Sequence, residues 1–485
     1  MNISTIPWGR LDPGNPLARD YLTDPERVAQ LFAVDYRDPA ALRPLAEAQR
    51  ARRRPVLGPA LARYNAEIGG SERNAARLDD ALCVISGQQV GLLYGPAYTT
   101  YKLFTVINAA RVLSEELGEE VIPVFWIESE DHDWDEVNRF YWKGRRLRME
   151  GSVPPGVPVS AVELDPDSFL EQARAEVGEQ DEAWALVQPE RGIARWHARN
   201  LARLVEGSGV VFLEPNLLRE PMRPFAERAA AAPELIDVSL EKETGYPRQL
   251  TPPAKNYFFA AGPPRARLGR GASLPQDWST DVASRVLVQN AAFPVLAAVC
   301  GPSEIHYWAQ LKQAHEAFEV PMPAVLPRDA ATLIDAGLVR DAAKLGLDLE
   351  QVVRGLSSEP DATASDPVAD RLFKLGGEVG DLFAALDGGG LDLPPNTERP
   401  FRRTLERLGK DLDKLAGRIV DARAEAEGAG RRRYERILRE LRPRGGLQER
   451  THSLFPYLVR HGPDLARRLR ESFDPYEFGH YLVQL

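Results

Sequence analysis

Two short apolar runs, at residues 82–85 and 121–127, stand out in the hydropathy pattern of the first third of the chain. Both are shorter than a typical helix and each is followed by polar residues, which predicts two buried strands. Between them, apolar residues recur at helical spacing after the turn at Gly95, and Gly118 is a typical C-terminal cap. Residues 81–142 therefore predict a strand–helix–strand unit.

Further apolar runs predict that the sheet continues, at residues 210–213, 286–288, 294–299 and 324–326. Strands separated by helical segments are typical of an α/β fold with a parallel sheet. Residues 1–80 and 166–206 have a mostly helical pattern. Two stretches interrupt the alternation, near 143–190 and 232–280, and the second is rich in Pro and Gly, which indicates a small β-rich insertion. We therefore expect residues 1–330 to form one α/β core with inserted connecting segments.

Beyond residue 330 the pattern is helical and strongly charged, and it predicts no further strand up to residue 441. A glycine-rich break at 387–390 and a proline pair at 394–395 interrupt it. Five large aliphatic residues alternate spacings of three and four, as in a coiled-coil seam: Leu405, Leu408, Leu412, Leu415 and Ile419. We expect residues 331–445 to form an α-helical coiled-coil arm and the aromatic-rich segment 446–485 to return to the core.

The composition is that of an ordinary globular protein, with 44% apolar and 27% charged residues among 485, a length that predicts two or three domains. No apolar run approaches the roughly 20 residues of a membrane span, and the N-terminus lacks the features of a signal peptide. The net charge of −10 argues against a nucleic-acid partner. Cys83 and Cys300 fall in predicted strands, where we interpret them as core residues rather than redox thiols. We expect a cytoplasmic protein.

A glycine-rich polar turn follows the first strand and leads into the predicted helix. The residues there that could contact a ligand are Gly87, Gln88, Gln89, Gly95, Tyr98, Thr99 and Lys102. Unpaired N–H groups and the positive end of a helix dipole favour phosphate or carboxylate. The turn matches neither GxGxxG nor GxxxxGK[ST], so glycines that serve only to make tight turns remain the alternative.

The second strand ends in a dense cluster of ionisable side chains: Glu128, Glu130, Asp131, His132, Asp133, Asp135 and Glu136. On a plain surface such a run is usually solvated, but directly after a buried strand we expect it to line a cleft. His132, Asp131 and Asp133 are the candidate catalytic residues, and we predict that this cluster and the glycine-rich turn converge on one pocket. The alternative is the transition-metal site of a hydrolase, although no further pair of histidines at helical spacing accompanies it.

Two later predicted strands also end in polar residues. Gly301, Ser303 and Glu304 open a helix that runs on through Tyr307, and Ser303 is either an N-cap or a ligand contact. Arg328 follows the last predicted strand, where its guanidinium would either hold an anion or pair with the acidic cluster.

Five motifs follow one another along the chain: SGQQ at 86–89, GPAYTTYK at 95–102, PVFWIESEDHDWDEVN at 123–138, GPSEIHYWAQL at 301–311 and LQER at 447–450. In this order they resemble the bacillithiol-biosynthesis cysteine-adding enzyme family. The resemblance covers nearly the whole chain. It adds Glu130, Gln448 and Arg450 to the candidate binding residues.

The resemblance implies a Rossmann-like core with insertions and a coiled-coil arm that forms a homodimer. It also implies a ligase that activates a carboxylate with ATP and joins cysteine to glucosaminyl malate, giving bacillithiol. The glycine-rich turn would then hold phosphate, the acidic cluster could bring in Mg²⁺, and His132 or a neighbouring carboxylate would act as base or hold an ammonium group. The remaining alternative is a coiled-coil interaction protein, which the polar loops at three strand ends oppose.

Overall fold

A computed structural model describes residues 1–357, 367–387 and 397–485 of the chain. This part forms two compact units, one made of residues 1–335 and 441–485 and the other of residues 336–440. The breaks expected at 387–390 and 394–395 lie outside the described residues, except for Asp387.

The strands, in chain order, are β1 (Asn2–Pro7), β2 (Leu82–Gln89), β3 (Val121–Glu128), β4 (Phe140–Trp142), β5 (Arg145–Leu147), β6 (Val211–Leu213), β7 (Phe258–Ala260), β8 (Ala266–Arg267), β9 (Trp278–Thr280), β10 (Val295–Cys300), β11 (Ala324–Pro327), β12 (Ala330–Ile334) and β13 (Gly479–Gln484).

The α-helices of the first unit are α1 (Pro16–Thr23), α2 (Arg43–Ala51), α3 (Gly58–Ile68), α4 (Glu72–Arg77), α5 (Ala97–Leu117), α6 (Trp134–Val137), α7 (Asp167–Val177), α8 (Asp181–Trp184), α9 (Ile193–Leu204), α10 (Arg223–Ala231), α11 (Glu234–Glu241), α12 (Val282–Ala292), α13 (Pro302–Gln310) and α14 (Lys312–Ala317). The second unit follows with α15 (Ala336–Lys344), α16 (Leu349–Arg354), α17 (Pro367–Asp387) and α18 (Glu398–Leu441), and the first unit ends with α19 (Phe455–His461) and α20 (Asp464–Ser472).

The core of the first unit is a five-stranded sheet with the order β11-β10-β2-β3-β6, in which every neighbouring pair is parallel. The chain adds β3 and β6 on one side of β2 and later β10 and β11 on the other. The strand order therefore reverses between β2 and β10, the position at which open α/β sheets bind ligands. This confirms the predicted α/β fold with a parallel sheet.

Both faces of this sheet are covered. On β3, Val124 and Trp126 pack into one apolar core and Phe125 and Ile127 into the other, because successive side chains of a strand point to opposite faces. A parallel sheet buried on both faces produces the continuous apolar runs seen in the sequence.

The glycine-rich turn predicted after the first strand, at residues 86–91, is wrong over its first four residues, because β2 continues through Gln89. The strand stays in register with β3 as far as the pair Gln89 and Glu128. Gly87 allows this close pairing, since a Cβ at that position would lie 2.9 Å from the Cβ of Trp126. The strand therefore delivers two glutamine side chains directly to its carboxyl end.

The predicted strand at 286–288 is also wrong, because these residues lie in α12. Asp281 caps this helix by accepting hydrogen bonds from two amides of the first turn, and Ser284 bonds back to the Asp281 amide. This capping box starts a helix, and three consecutive apolar residues do not distinguish a buried helix from a strand.

Three strands that were not predicted, β1, β12 and β13, form a second sheet. In this sheet β1 and β12 flank β13, β1 antiparallel and β12 parallel to it. The expectation of no strand after residue 330 is thus wrong, because the run 330–334 is too short for its periodicity to identify it. The insertion at 232–280 contains a small antiparallel sheet, with the order β8-β7-β9.

The C-terminal segment packs within the first unit. Besides β13, the side chain of Gln448 donates to and accepts from the backbone of Leu333 on β12, both at 2.9 Å. Phe473 stacks on Tyr481 with 4.8 Å between ring centroids and meets Tyr101 of α5 edge-on at 5.5 Å.

In the second unit, the five residues of the predicted seam on α18 divide between an inward stripe and the surface of the single chain. Leu405 is buried and Leu412 and Ile419 are half-buried, whereas Leu408 and Leu415 are 45% and 49% exposed. Residues 409 and 416, a glycine and a buried alanine, occupy the inward stripe instead. Small residues let helices approach closely, so a packing stripe can contain them as well as large aliphatic residues. None of the described helices is long and apolar enough to cross a membrane.

Candidate active site

Two neighbouring cavities lie at the carboxyl ends of the central strands and share the side chains of Gln88 and Gln89. The larger, which we call the strand-end cavity, has a volume of about 580 Å³. Its polar lining residues are Gln88, Gln89, Glu128, Asp131, His132, Gln249, Thr251, Arg265, Arg267, Thr280, Asp281, Arg285 and Glu304, and Gly87, Trp126, Leu250, Pro253, Phe259 and Val282 complete it.

The smaller, the helix-start cavity, has a volume of about 270 Å³. It lies beside the first turn of α5, and its polar lining residues are Gln88, Gln89, Tyr98, Thr99, Glu136, Arg139, Tyr141, Arg444, Arg450, Thr451 and Ser453, with Gly95 at the turn. The glycine-rich segment and the acidic cluster therefore converge on two adjoining cavities rather than on the single pocket predicted, and the two glutamines join the cavities.

Lys102 holds the end of β2 in place rather than extending into a cavity. Its ammonium group is almost fully buried and lies 2.5 Å from the Glu304 carboxylate, 3.0 Å from the Gly87 carbonyl and 2.9 Å from the Gln88 side-chain oxygen. The other end of the Gln88 amide donates to the Tyr98 hydroxyl at 3.4 Å. This network fixes the orientation of the glutamine that both cavities share.

The helix-start cavity contains a buried polar group without a partner. The Thr99 hydroxyl is buried and has no hydrogen-bond partner within the described part of the chain. The helix start itself is not fully open, because the Ala97 amide donates to the His452 carbonyl at 2.7 Å. The anion-attracting groups of this cavity are therefore mainly side chains, Arg139 and Arg450 among them.

The three candidate catalytic residues have different surroundings. Asp131 accepts from the side chain of Gln89 and from the amide of His132. The His132 ring is exposed, and its Nδ1 lies 3.4 Å from the Arg265 guanidinium. Asp133 is the N-cap of α6 and lines only a separate outer groove. Asp131 and His132 are thus placed at the strand-end cavity, and Asp133 is not.

Glu130, a predicted binding residue, lies outside the lining of both cavities. It is buried and forms an ion pair with Arg219. Burial raises its pKa to about 7 although the arginine opposes the shift. Glu130 therefore pairs with an arginine inside the protein and faces neither cavity.

Glu128 is the acidic residue that ends β3, and sequence analysis did not place it among the catalytic candidates. It is half-buried at the strand-end cavity, and one carboxylate oxygen accepts from the Trp126 indole at 3.0 Å. Burial raises its pKa, against the opposing charges of Arg285 and Arg265.

Arg285 is a second residue that sequence analysis missed, because it directly precedes the run 286–288 that was mistaken for a strand. It projects from α12 to the strand-end cavity, where it lies over the Trp126 ring and bonds to the Gln289 side chain at 3.0 Å. No carboxylate of the described residues lies within 4 Å of it. Asp281 is a typical N-cap residue, so the sequence does contain a signal for the helix that carries Arg285 to the sheet edge.

The other predicted positions have structural partners. Arg328 forms a buried ion pair with Glu449 at 2.5 Å, so the predicted pairing with the acidic cluster is wrong. Ser303 is exposed and is not the cap of α13. The N-cap is Gly301, whose amide donates to the Glu304 carboxylate. The remaining two are Tyr307, whose hydroxyl lies 3.4 Å from Arg285, and Gln448, which bonds to β12.

In the described ranges, no group of three or more His, Cys, Asp or Glu side chains is arranged to hold a metal ion. The acidic cluster does not form such a group because its members turn to different partners: a helix cap, an arginine pair and a glutamine.

Comparison with known families accounts for the whole chain. Residues 1–272 and 268–329 match the family model described as bacillithiol biosynthesis BshC, N-terminal Rossmann-like domain. Residues 331–485 match the one described as bacillithiol biosynthesis BshC, C-terminal coiled-coil domain. The chain belongs to the BshC family of bacillithiol biosynthesis. Both cavities thus lie within the BshC Rossmann-like part and its C-terminal return.

Relatives in this BshC family are similar over their full length. A protein of Symbiobacterium thermophilum is 30% identical, with 99% of each chain covered. One of Geobacillus kaustophilus is 28% identical over the whole of both chains, and one of Salinibacter ruber is 26% identical over 96% of this chain and 95% of its own. All three are named putative cysteine ligase BshC.

Proposed function

We propose that this protein forms an amide bond between cysteine and the amine of glucosaminyl malate, using ATP to activate the cysteine carboxylate. Membership of the BshC family and the name cysteine ligase carried by its full-length relatives support this. The observation that carries the proposal is the pair of adjoining cavities at the strand-order reversal, joined by Gln88 and Gln89. Two reacting groups can enter from different sides and meet at the strand ends.

The strand-end cavity suits the amine and carboxylate substrates. Arg285 and Arg265 are cations able to bind carboxylate oxygens in pairs. Glu128 and Asp131 supply negative charge for an ammonium group, and the face of Phe259 supplies an apolar wall. Cysteine and glucosaminyl malate both carry an amine and at least one carboxylate, which is the charge pattern of this lining.

The helix-start cavity suits the phosphates of the nucleotide. The unpartnered Thr99 hydroxyl is a ready hydrogen-bond donor, and Arg139 and Arg450 are cations at the same cavity. These donors would hold phosphate oxygens and stabilise charge on the leaving group. Mg²⁺ would arrive with the nucleotide, since magnesium is usually held by one or two carboxylates together with phosphate oxygens.

A hydrolase that uses a transition metal is not supported, because the acidic cluster is divided among internal partners. A purely structural interaction protein is not supported either, because such a protein needs no polar cavities at its strand ends. We assign the reaction to the cytoplasm, where ATP is available and where the two buried free cysteines fit reducing conditions.

We also propose that the helical arm makes the protein a homodimer. Two sets of exposed apolar residues repeat at seven-residue intervals in the second unit: Val368, Leu375 and Leu382 on α17, and Phe401, Leu408 and Leu415 on α18. A seven-residue repeat keeps these side chains on one stripe of each helix, the pattern of a coiled-coil contact. Covering the stripes with a second copy removes them from water.

A deletion of the gene in the source organism tests the function. We expect glucosaminyl malate to accumulate and bacillithiol to disappear, and both changes to be reversed by the wild-type gene. Thiol profiling by mass spectrometry measures both compounds. Normal bacillithiol in the deletion strain would contradict the proposal.

A further inference from the structure

Four carboxylates line the strand-end cavity, and two of them already have partners on both oxygens. One oxygen of Asp131 accepts from the Gln89 side chain and the other from the His132 amide at 2.7 Å. One oxygen of Asp281 caps α12, and the other accepts from Arg267 at 2.9 Å. Neither carboxylate has an oxygen left for a substrate proton without giving up a bond that shapes the site.

The third carboxylate, Glu304, is neutralised by a buried cation. One of its oxygens lies 2.5 Å from the Lys102 ammonium group and also accepts from the Gly301 amide at 2.7 Å. The other oxygen lies 3.5 Å from the Tyr307 hydroxyl. Both oxygens of this carboxylate therefore already have partners within the protein.

The fourth carboxylate, Glu128, is different. Its Oε2 accepts from the Trp126 indole at 3.0 Å, and Oε1 has no donor among the described residues. No cation lies within ion-pair distance of it in the described part of the chain. The indole bond orients the carboxylate, and the free oxygen belongs to a residue that lines the cavity.

We propose that Glu128 is the general base that takes a proton from the ammonium group of the acyl-accepting amine. This inference rests on the proposed function. The ammonium group gives one proton to Oε1 of Glu128 and becomes a neutral amine. Its nitrogen lone pair forms the bond to the activated cysteine carbonyl carbon. The bond from that carbon to the phosphate oxygen breaks, and the departing phosphate takes the electron pair and the second nitrogen proton.

The surroundings of Glu128 suit proton transfer. Burial raises its pKa, which brings the carboxyl group closer to the amine in proton affinity. The negative charge of Asp131 also raises the pKa of Glu128, whereas the positive charges of Arg285 and Arg265 lower it. Glu130, the remaining charged neighbour, is itself paired with an arginine. His132 is a weaker candidate because its ring is exposed and its Nδ1 faces the Arg265 guanidinium.

The test compares Glu128→Gln with wild type in two reactions of the full-length protein. One is amide formation with cysteine, ATP and glucosaminyl malate. The other replaces glucosaminyl malate with hydroxylamine, which is uncharged at neutral pH and needs no base to attack the activated cysteine. We expect the variant to lose roughly a hundredfold or more in amide formation and to form cysteine hydroxamate at the wild-type rate. Its residual amide rate should rise about tenfold per pH unit as free amine appears in solution.

Glu128→Asp and Asp135→Asn complete the set. The first keeps a carboxylate and should restore part of the amide rate. The second removes an exposed charge from the same acidic run and should leave both reactions unchanged. Loss of both reactions in Glu128→Gln, or an amide rate within threefold of wild type, would overturn the assignment while the ligase function stands. If wild type forms hydroxamate but no amide, or neither product, the proposed function fails and the inference falls with it.

Discussion

The ammonium group of Lys102 on α5 lies 2.5 Å from the carboxylate of Glu304 on α13, directly under the point where the strand order reverses. The pair links the helix that follows β2 to the helix that follows β10. Because the same ammonium group also bonds to Gln88, the two central strands and the side chain shared by both cavities are fixed by one buried cation.

Replacing Lys102 with Met should therefore destabilise the protein, by about 3 kcal/mol in the free energy of unfolding, because it leaves Glu304 without its partner. Urea unfolding followed by circular dichroism measures the change. The double variant Lys102→Met, Glu304→Gln should recover part of the loss. Arg111→Met, which breaks an exposed ion pair, is the matched control and should cost under about 1 kcal/mol. A Lys102→Met variant as stable as that control would contradict this role.

Asp329 should make the protein less stable as the pH rises. Burial raises its pKa to about 7, so the folded state binds its proton more tightly than the unfolded chain, in which the carboxyl titrates near pH 4. The unfolding free energy should fall between about pH 4 and pH 7 as the folded state loses this advantage.

Asp329→Asn should remove this dependence and gain up to about 4 kcal/mol at pH 8 relative to wild type, with a smaller gain at pH 5. The Thr105 hydroxyl, which donates to Asp329 at 2.8 Å, can donate to an amide oxygen equally well. Chemical denaturation at both pH values measures the effect, with the exposed Asp80→Asn as control. A variant less stable than wild type at pH 8 would show that the carboxylate is ionised and satisfied in the fold.

Arg285→Met should weaken substrate binding at the strand-end cavity. Losing a guanidinium that binds a carboxylate through two hydrogen bonds should raise a KM tenfold to a hundredfold, and Arg285→Lys should recover only part of it. Separate titrations of cysteine and glucosaminyl malate identify which carboxylate the arginine holds. Unchanged KM values for both substrates would exclude Arg285 from binding.

The exposed stripes on the helical arm predict a dimer, and charged residues introduced into a stripe should dissociate it. The wild-type chain should sediment at twice its 53.9 kDa mass at micromolar concentration. Leu408→Glu with Leu415→Glu should convert it to the monomer with its secondary structure retained, because both residues are nearly half exposed in the single chain. A wild-type protein at 53.9 kDa in sedimentation equilibrium would rule out the dimer.

Much of the fold could be predicted because its strands are buried on both faces. The runs at 82–85 and 121–127 are continuous and apolar for that reason, and Gly118 ends the helix between them in the left-handed conformation. Hydrophobic periodicity did not distinguish a helix from a strand where an apolar run is short. Residues 286–288 belong to a helix that its Asp281 cap identifies, and residues 330–334 form a strand only because β13 returns to pair with it.

The sequence predicted the region of the candidate site, but it did not predict the role of each residue there. The sequence places the acidic cluster after a strand, but it does not indicate which carboxylates become helix caps or arginine partners. Those partners, such as Arg219 for Glu130, are distant in the chain and meet only in the fold. Arg285 was missed because its helix was mistaken for a strand, and the role of Lys102 became apparent only with Glu304 in place.

We propose above all that the purified protein joins cysteine to glucosaminyl malate at the expense of ATP. The most direct measurement is mass spectrometry of a reaction containing the full-length chain, both substrates, ATP and Mg²⁺. We predict an ATP-dependent thiol product with the mass of the two substrates less one water, and its loss in Arg285→Met at substrate concentrations near the wild-type KM. Consumption of neither substrate by a folded wild-type protein, with ATP and reduced cysteine verified at the end of the reaction, would contradict the claim.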